Sequence, residues 1–211
     1  MDSQEATAKL NTFFADGRER VYTRRALILN YGEQPDKAFW ITKGAVKIVT
    51  STKDGNERIQ HIYGVNELFP AKWIFDNTQM DVAFFAFTEV TVRIKPLDEF
   101  KAYIEREPGT MRAVLHQTFA VFSDLINLNI DSADQRIAFK LLFLAERFGT
   151  YNKDHTIINC PLTIQELASS IRLSRETTGK ILNRFEKHGL LILGRQNILI
   201  HPEKLKKVLE D

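Results

Sequence analysis

Hydrophobic positions along the chain follow two rhythms, and the change falls near Pro108. From about Val21 to Pro96 the apolar residues come in short β-prone runs: Ala26–Leu29, Ala38–Ile41, Val46–Val49, Arg58–Ile62 and Val82–Phe87. From Glu89 to Ile94 they alternate, with Val90, Val92 and Ile94 on one face and Glu89, Thr91 and Arg93 on the other. A period of two marks a strand with one buried side. Turn-forming residues separate the runs at Tyr31-Gly32-Glu33, Lys43-Gly44 and Lys53-Asp54-Gly55-Asn56. The Asp-Gly pair is a strong hairpin signal, because glycine accepts the positive φ of a tight turn. Many short strands at close spacing predict a small antiparallel β-barrel or jelly roll.

After Pro108 the period becomes helical. Met111, Val114, Leu115, Thr118, Val121, Phe122, Leu125 and Leu128 recur every three or four residues, the spacing of a long helix with a coiled-coil-like seam. A closed barrel offers little open apolar surface for such a helix to cover, so the seam is expected to join two copies of the chain. A helix lying on its own barrel is the alternative. Ala133 to Arg147 reads as a further amphipathic helix, stopped at Phe148-Gly149. Tyr151 to Cys160 reads as a loop with a short strand at Ile157-Ile158. The fold class expected is α+β: residues 1–107 form the barrel, 108–130 the dimerisation helix and 131–211 a small helical domain.

The chemistry is concentrated between Leu162 and Ile200. Thr163 and Glu166 form a T-x-x-E capping box that sets the start of one helix, and Leu167 and Ile171 are spaced to face inward. Ser174 then reads as a second N-cap, so the chain turns around Arg172-Leu173. Two short helices joined by a tight turn make a helix-turn-helix. In the second helix Thr178, Ile181, Leu182 and Phe185 take core spacing, while Arg175, Glu176, Gly179, Lys180 and Asn183 share the other side. Arginine and lysine can donate to guanine O6 and N7, and glutamate can accept from cytosine N4. Ser174 and Thr177 lie at the helix N-terminus, where backbone N–H groups favour a phosphate. Gly179 removes a side chain where a backbone could approach closely. Beyond His188-Gly189, Leu190–Leu193 and Ile198–Ile200 flank a turn at Gly194-Arg195-Gln196-Asn197 and read as a two-stranded wing with Arg195 at its tip.

Charge looks at first unsuited to nucleic acid. The 211 residues carry 29 Lys and Arg against 27 Asp and Glu, a net +2, which excludes a polybasic tail or membrane anchor. Between Arg172 and Arg195, however, six Lys or Arg stand against two Glu, a local +4. The remainder is slightly acidic. The single cysteine, Cys160, excludes an intrachain disulfide and a Cys-ligated iron–sulfur cluster. The first residues lack the basic and apolar regions of a signal peptide, and no apolar run approaches the ~18 residues of a membrane span; a cytoplasmic location is expected. Among enzymes, a cupin would share the barrel pattern, but His61 is the only histidine in the barrel region and cannot build its metal site. Neither a P-loop, G-x-S-x-G nor H-E-x-x-H occurs. No enzyme activity, metal or cofactor is expected.

Barrel, long helix and winged helix-turn-helix, in this order, resemble the cyclic-AMP receptor protein / fumarate-nitrate regulator (CRP/FNR) superfamily of bacterial transcription regulators. In the barrel the resemblance rests on Gly32-Glu33, Ile41-x-x-Gly44-Ala45-Val46-Lys47-Ile48, Asp54-Gly55 and Ala86-x-Thr88. In the helical part it rests on Asp134-x-Arg136-x-Ala138-x-x-Leu141-Leu142. Its most specific part is Leu162-Thr163-x-Gln165-Glu166-Leu167-Ala168 followed by Ser174-Arg175-Glu176-Thr177-x-Gly179-Lys180-Ile181-Leu182. The resemblance implies a cyclic-nucleotide-binding-like barrel and a homodimer on double-stranded DNA with TGTGA-like half-sites, with RNA polymerase as a further partner. It implies base reading by Arg175, Glu176 and Lys180, and DNA-backbone contacts from Thr163, Gln165, Ser174 and Thr177. Arg172, Gly179 and Arg195 join the backbone set. Two departures stand out. Lys180 replaces an arginine, so a bidentate fork becomes a point donor. Arg172 stands where the family usually has glycine, and bears strain if the turn needs positive φ.

Cyclic-nucleotide binders of this family carry a Gly-Glu pair and then an Arg-Ser/Thr pair for ribose and phosphate. Here Pro70-Ala71 and Met80-Asp81-Val82 stand at those places, and no Lys or Arg occurs between Lys72 and Arg93. A buried phosphate without a cation is costly, so cyclic AMP and cyclic GMP are not expected to bind in the usual way. The aromatic residues Phe69, Trp73 and Phe84 read either as barrel core or as the wall of an effector pocket for an apolar ligand of unknown identity. His61 and His116 are the only histidines before the DNA-binding part that could serve haem. A ligand-binding module without specific DNA reading is a further alternative, separated by whether duplex binding weakens steeply with salt.

Overall fold

The computed structural model describes residues 3–51, 57–75, 78–126, 129–194 and 197–210. The predicted hairpin at Asp54-Gly55, the wing-tip Arg195 and the seam residue Leu128 lie outside the described residues, as does the side chain of Leu125. The chain divides into two units, Met1–Asp124 and Leu125–Asp211.

In the first unit the strands are β1 (Arg18–Tyr22), β2 (Leu27–Leu29), β3 (Lys37–Lys43), β4 (Val46–Ser51), β5 (Glu57–Tyr63), β6 (Leu68–Phe69), β7 (Ala83–Ala86) and β8 (Val90–Pro96). They form two antiparallel four-stranded sheets, ordered β1-β8-β3-β6 and β2-β7-β4-β5, the arrangement of a jelly roll. The alternation read at Val90, Val92 and Ile94 fits: Val90 and Val92 are buried and pair with Tyr22 and Arg20 of β1. Gly44 closes the β3–β4 turn at φ +81°, where a Cβ would fall 2.1 Å from the Glu89 carbonyl oxygen; only glycine fits.

Inner faces of both sheets share one core, including Phe39, Ile41, Val46, Phe69, Trp73, Phe84 and Val92. The outer face of the β3 sheet is covered too. Ala38, Trp40 and Leu68 are buried there with Leu10 and Phe14 of α1 (Ser3–Phe14), with Phe100 and Ile104 of α2 (Leu97–Arg106), and with Ala113 and Val114 of α3 (Pro108–Ile126). Burial on both faces explains the unbroken apolar run Ala38–Ile41, since neither side has to meet water. Phe14 stacks on Trp40 with ring centroids 5.7 Å apart, and Trp40 Nε1 donates to Asn11 Oδ1 at 2.8 Å.

The outer core corrects the reading of the long helix. A jelly roll with an apolar outer face does give α3 something to cover, so Val114 is fully buried, Met111 packs beside it, and Val121 packs against the inter-sheet core. Gln117 on the same side donates to the Asn66 carbonyl at 3.0 Å and accepts from Leu68 N at 3.1 Å. Leu115 and Phe122 of the expected seam lie on a neighbouring stripe, which Phe119 and Ile126 complete. These four are 44, 58, 64 and 51% exposed, respectively for Leu115, Phe122, Phe119 and Ile126. Thr118 is half-buried between the stripes, its hydroxyl donating to the Val114 carbonyl at 2.9 Å.

The second unit contains α4 (Ala133–Phe148), β9 (Gly149–Asn152), β10 (His155–Ile158), α5 (Ile164–Ser170), α6 (Arg175–Lys187), β11 (Leu191–Leu193), β12 (Ile198–Ile200) and α7 (Pro202–Glu210). The segment read as a loop with one short strand is a β9–β10 hairpin. It joins the wing in a four-stranded sheet ordered β11-β12-β10-β9, so the wing is not a free two-stranded ribbon. Ser132 caps α4 by accepting from Gln135 N.

Candidate nucleic-acid interface

The capping box fixes the first helix as the sequence predicts. Glu166 N donates to Thr163 Oγ1 at 3.1 Å, and Thr163 N donates to Glu166 Oε2 at 3.1 Å. Satisfying these otherwise orphaned groups starts α5 at Ile164. At the other end Leu173 N donates to the Ala168 carbonyl at 3.0 Å, a six-to-one closure that needs a left-handed residue inside it. That residue is Arg172, at φ +55°. A non-glycine there carries strain on the order of 1 kcal/mol. Arg136 of α4 holds the turn from behind, Nη1 donating to the Ile171 carbonyl at 3.1 Å.

Ser174 starts the second helix. Its Oγ accepts from Thr177 N at 3.0 Å and donates to Thr177 Oγ1 at 2.8 Å. Both hydroxyl groups are therefore organised at the N-terminus of α6, where partial positive charge accumulates. Thr178, Ile181, Leu182 and Phe185 are buried, and this inner face orients the outer one. Arg175, Glu176, Thr177, Lys180 and Asn183 are exposed, as are Thr163, Gln165, Arg172 and Ser174. Arg184, also exposed, pairs with Asp134 at the start of α4. Glu186 Oε1 accepts from Leu193 N at 2.8 Å and ties α6 to the wing.

Ile164, Arg175, Glu176, Gly179, Lys180 and Asn183 surround a hollow of about 510 Å³ between the start of α5 and the outer face of α6. Gly179 lines it with the others. A Cβ added there meets no atom of the described residues within 4 Å, so none of them requires glycine. Across the hollow Lys180 Nζ lies 2.7 Å from Glu176 Oε1, an exposed pair one helical turn apart. Such pairs stabilise a helix by only ~0.3–0.5 kcal/mol, so both side chains can be redirected cheaply. The hollow presents guanidinium, ammonium and carboxylate groups over a bare stretch of backbone, the donor and acceptor set suited to base edges.

Residues 135–208 match the model of the Crp-like helix-turn-helix domain, and residues 19–107 match that of the cyclic nucleotide-binding domain. The chain belongs to the CRP/FNR family of transcription regulators. Its relatives include the CRP-like cAMP-activated global transcriptional regulator of Mycobacterium tuberculosis, 28% identical over 183 residues that span 85% of this chain and 82% of that one. In fold it is similar to a CRP/FNR family transcriptional regulator from Thermus thermophilus, with a TM-score of 0.76, 18% identity, and coverage of 92% of this chain and 99% of that one. FixK2 from Bradyrhizobium japonicum superposes with a TM-score of 0.79 at 17% identity, covering 91% of this chain and 96% of that one. No helix among the described residues is long and apolar enough to cross a membrane.

In this CRP/FNR-family chain several apolar residues from Phe69 to Phe84 turn into the core. Phe69, Trp73, Met80, Val82 and Phe84 are all buried in the inter-sheet core, with Phe69 and Phe84 stacked at 5.3 Å and Trp73 edge-on to Phe84 at 6.2 Å. Lys72 is exposed, its Nζ 4.7 Å from the Trp73 ring centroid and 3.8 Å from Asp81 Oδ1. The buried Trp73 Nε1 has no hydrogen-bond partner among the described residues.

Proposed function

We propose that the chain acts as a homodimer that reads a palindromic, TGTGA-like DNA site through α6 of each copy, and that cyclic AMP does not gate it. The observation that carries the reading is the hollow beside α6. It is lined by a glycine that packing among the described residues does not need, and by Arg175, Glu176 and Lys180. In this reading those three side chains contact bases, while Thr163, Gln165, Arg172, Ser174 and Thr177 contact the DNA backbone, with Gly179 admitting it closely. Arg195 extends the backbone contacts from the wing. The exposed stripe of Leu115, Phe119, Phe122 and Ile126 supports the dimer, because four large apolar side chains on one helix face otherwise meet water. A regulator of this kind works in the cytoplasm, without enzyme activity, and meets RNA polymerase on the DNA.

The Mycobacterium tuberculosis relative is described as cAMP-activated. Here Pro70-Ala71 replaces the Gly-Glu pair, and the nearby cation, Lys72, faces solvent beside Asp81. A cyclic phosphate taken inside would be desolvated against aromatic side chains. A second reading has one observation in its favour: a small apolar ligand at Phe69, Trp73 and Phe84 could offer an acceptor to the unpartnered Trp73 Nε1.

Fluorescence anisotropy with duplexes carrying TGTGA half-sites tests the DNA reading. Arg175→Ala is expected to cost ~1–3 kcal/mol on the specific duplex and to relax discrimination at one base pair. An equal loss on every sequence would remove Arg175 from base reading.

A further inference from the structure

Of the side chains that line the hollow beside α6, Ile164 and Asn183 are not among the three base readers. Asn183 follows Glu176 by seven residues and Gly179 by four, so all three share one stripe of the helix. Helical side chains lean over the preceding turn, which carries the Asn183 amide toward Gly179, where no side chain covers it. The amide is exposed and makes no hydrogen bond with the described residues. Exposed residues just beyond it are committed inside the chain: Arg184 pairs with Asp134, and Glu186 accepts from Leu193 N. Leu182 and Phe185, buried on the opposite side, hold Asn183 on the outer face.

We propose that Asn183 selects a further base pair of the DNA site, reading an adenine through its carboxamide; this rests on the DNA reading given above. The amide Nδ2 donates and Oδ1 accepts. Adenine presents the matching set on its major-groove edge, an acceptor at N7 beside a donor at N6, whereas guanine presents two acceptors and would leave Oδ1 unpaired. Arg175 and Lys180 can only donate and an ionised Glu176 can only accept, so the amide suits adenine as those three do not. Half-buried Ile164 adds apolar surface to the same hollow, and thymine, the partner of adenine, carries the major-groove methyl group. Seven helical residues rise ~10.5 Å, about three base-pair steps of ~3.4 Å, so Asn183 reaches a different pair from Glu176. An uncharged amide releases no counterion, and its loss changes sequence preference without changing salt dependence.

The test is fluorescence anisotropy of the full chain on a duplex that it selects from a random-sequence pool, with each base pair of the half-sites then exchanged in turn. Asn183→Ala alters an exposed helix position, and circular dichroism checks that it is folded. Wild-type binding is expected to fall about tenfold when one A·T pair becomes G·C, while Asn183→Ala binds the two duplexes equally. 7-Deazaadenine at that pair replaces N7 by C–H and keeps Watson–Crick pairing; it should weaken the wild type and leave Asn183→Ala unaffected. Arg175→Ala should keep the preference at that pair and lose it at another. Asn183→Ala with every wild-type base preference, or weakened equally on all duplexes, overturns the role of Asn183 while the DNA reading stands. A wild-type protein that selects no sequence from the pool overturns both.

Discussion

Exchange of Phe119 for aspartate puts a carboxylate in the middle of the exposed stripe on α3. Phe119 is 64% exposed in the single chain. Fully burying a phenylalanine side chain stabilises by ~1.5–3 kcal/mol, so covering the exposed part in a dimer contributes ~1–2 kcal/mol. Two-fold symmetry repeats the contact, which makes ~2–4 kcal/mol per dimer. Aspartate forfeits that gain and adds the desolvation of two unpaired carboxylates, at least ~1 kcal/mol each even after partial protonation. The sum is ~4 kcal/mol or more, about a thousandfold in the dimer dissociation constant. Sedimentation equilibrium reads this directly, and anisotropy on a palindromic duplex reads its consequence, since a monomer holds only one half-site. Phe119→Leu keeps an apolar group at the seam and should remain dimeric. A Phe119→Asp protein that still sediments as a dimer at micromolar concentration would refute the stripe as the seam.

Gly179→Ala should raise the melting temperature, because alanine improves an α-helix by ~1 kcal/mol and its Cβ meets no atom of the described residues within 4 Å. Specific DNA affinity should fall at the same time; unchanged affinity would show that no backbone approaches there. Calorimetry with cyclic AMP should show no binding heat, and a micromolar response would contradict the apolar character of the site. Lys95 is buried, and its Nζ lies 2.6 Å from Glu99 Oε1 and 2.9 Å from Asp16 Oδ1. The hydrogen bond to Glu99, then that to Asp16, holds its pKa above 10.5. A pKa raised on folding gives stability that is complete below the unfolded value and is lost as pH rises through the folded one. Lys95→Met should therefore flatten the alkaline limb of stability measured by urea unfolding, and an unaltered limb would show that the pairing contributes nothing.

Local chemistry made the recognition motif legible. A capping box, a serine N-cap and a four-residue core face each act within one or two turns, so Thr163, Glu166, Ser174 and Thr178 identify themselves without a tertiary context. Strain at Arg172 could be stated only as a condition, because the need for positive φ depends on the closure from Leu173 to Ala168. The long helix misled for a different reason. Its inward stripe, with Val114 and Val121, and its outward stripe, with Leu115 and Phe122, lie about 100° apart, and a residue list by apolarity merges them. The spacing of Leu115, Phe119, Phe122 and Ile126 contained the signal that separates them. The β9–β10 hairpin hides because β9 is largely exposed and lacks alternation. The sequence of α7, by contrast, has Leu205, Val208 and Leu209 at helical spacing and could have been read.

The double coverage of β3 has a consequence for how the chain reaches its fold. In most strands a one-residue misregister is self-correcting, since it turns apolar side chains toward water and polar ones inward. Ala38, Phe39, Trp40 and Ile41 give no such check, because every position is already greasy and both sides are destined for burial. Correct alignment with β8 then rests on the distinct neighbours of each face, Phe39 stacking on Phe69 inside and Trp40 on Phe14 outside, and on the bond from Trp40 Nε1 to Asn11. Docking of α1 thus proofreads the central strand, and a chain that lost α1 would be expected to fold with β3 out of step.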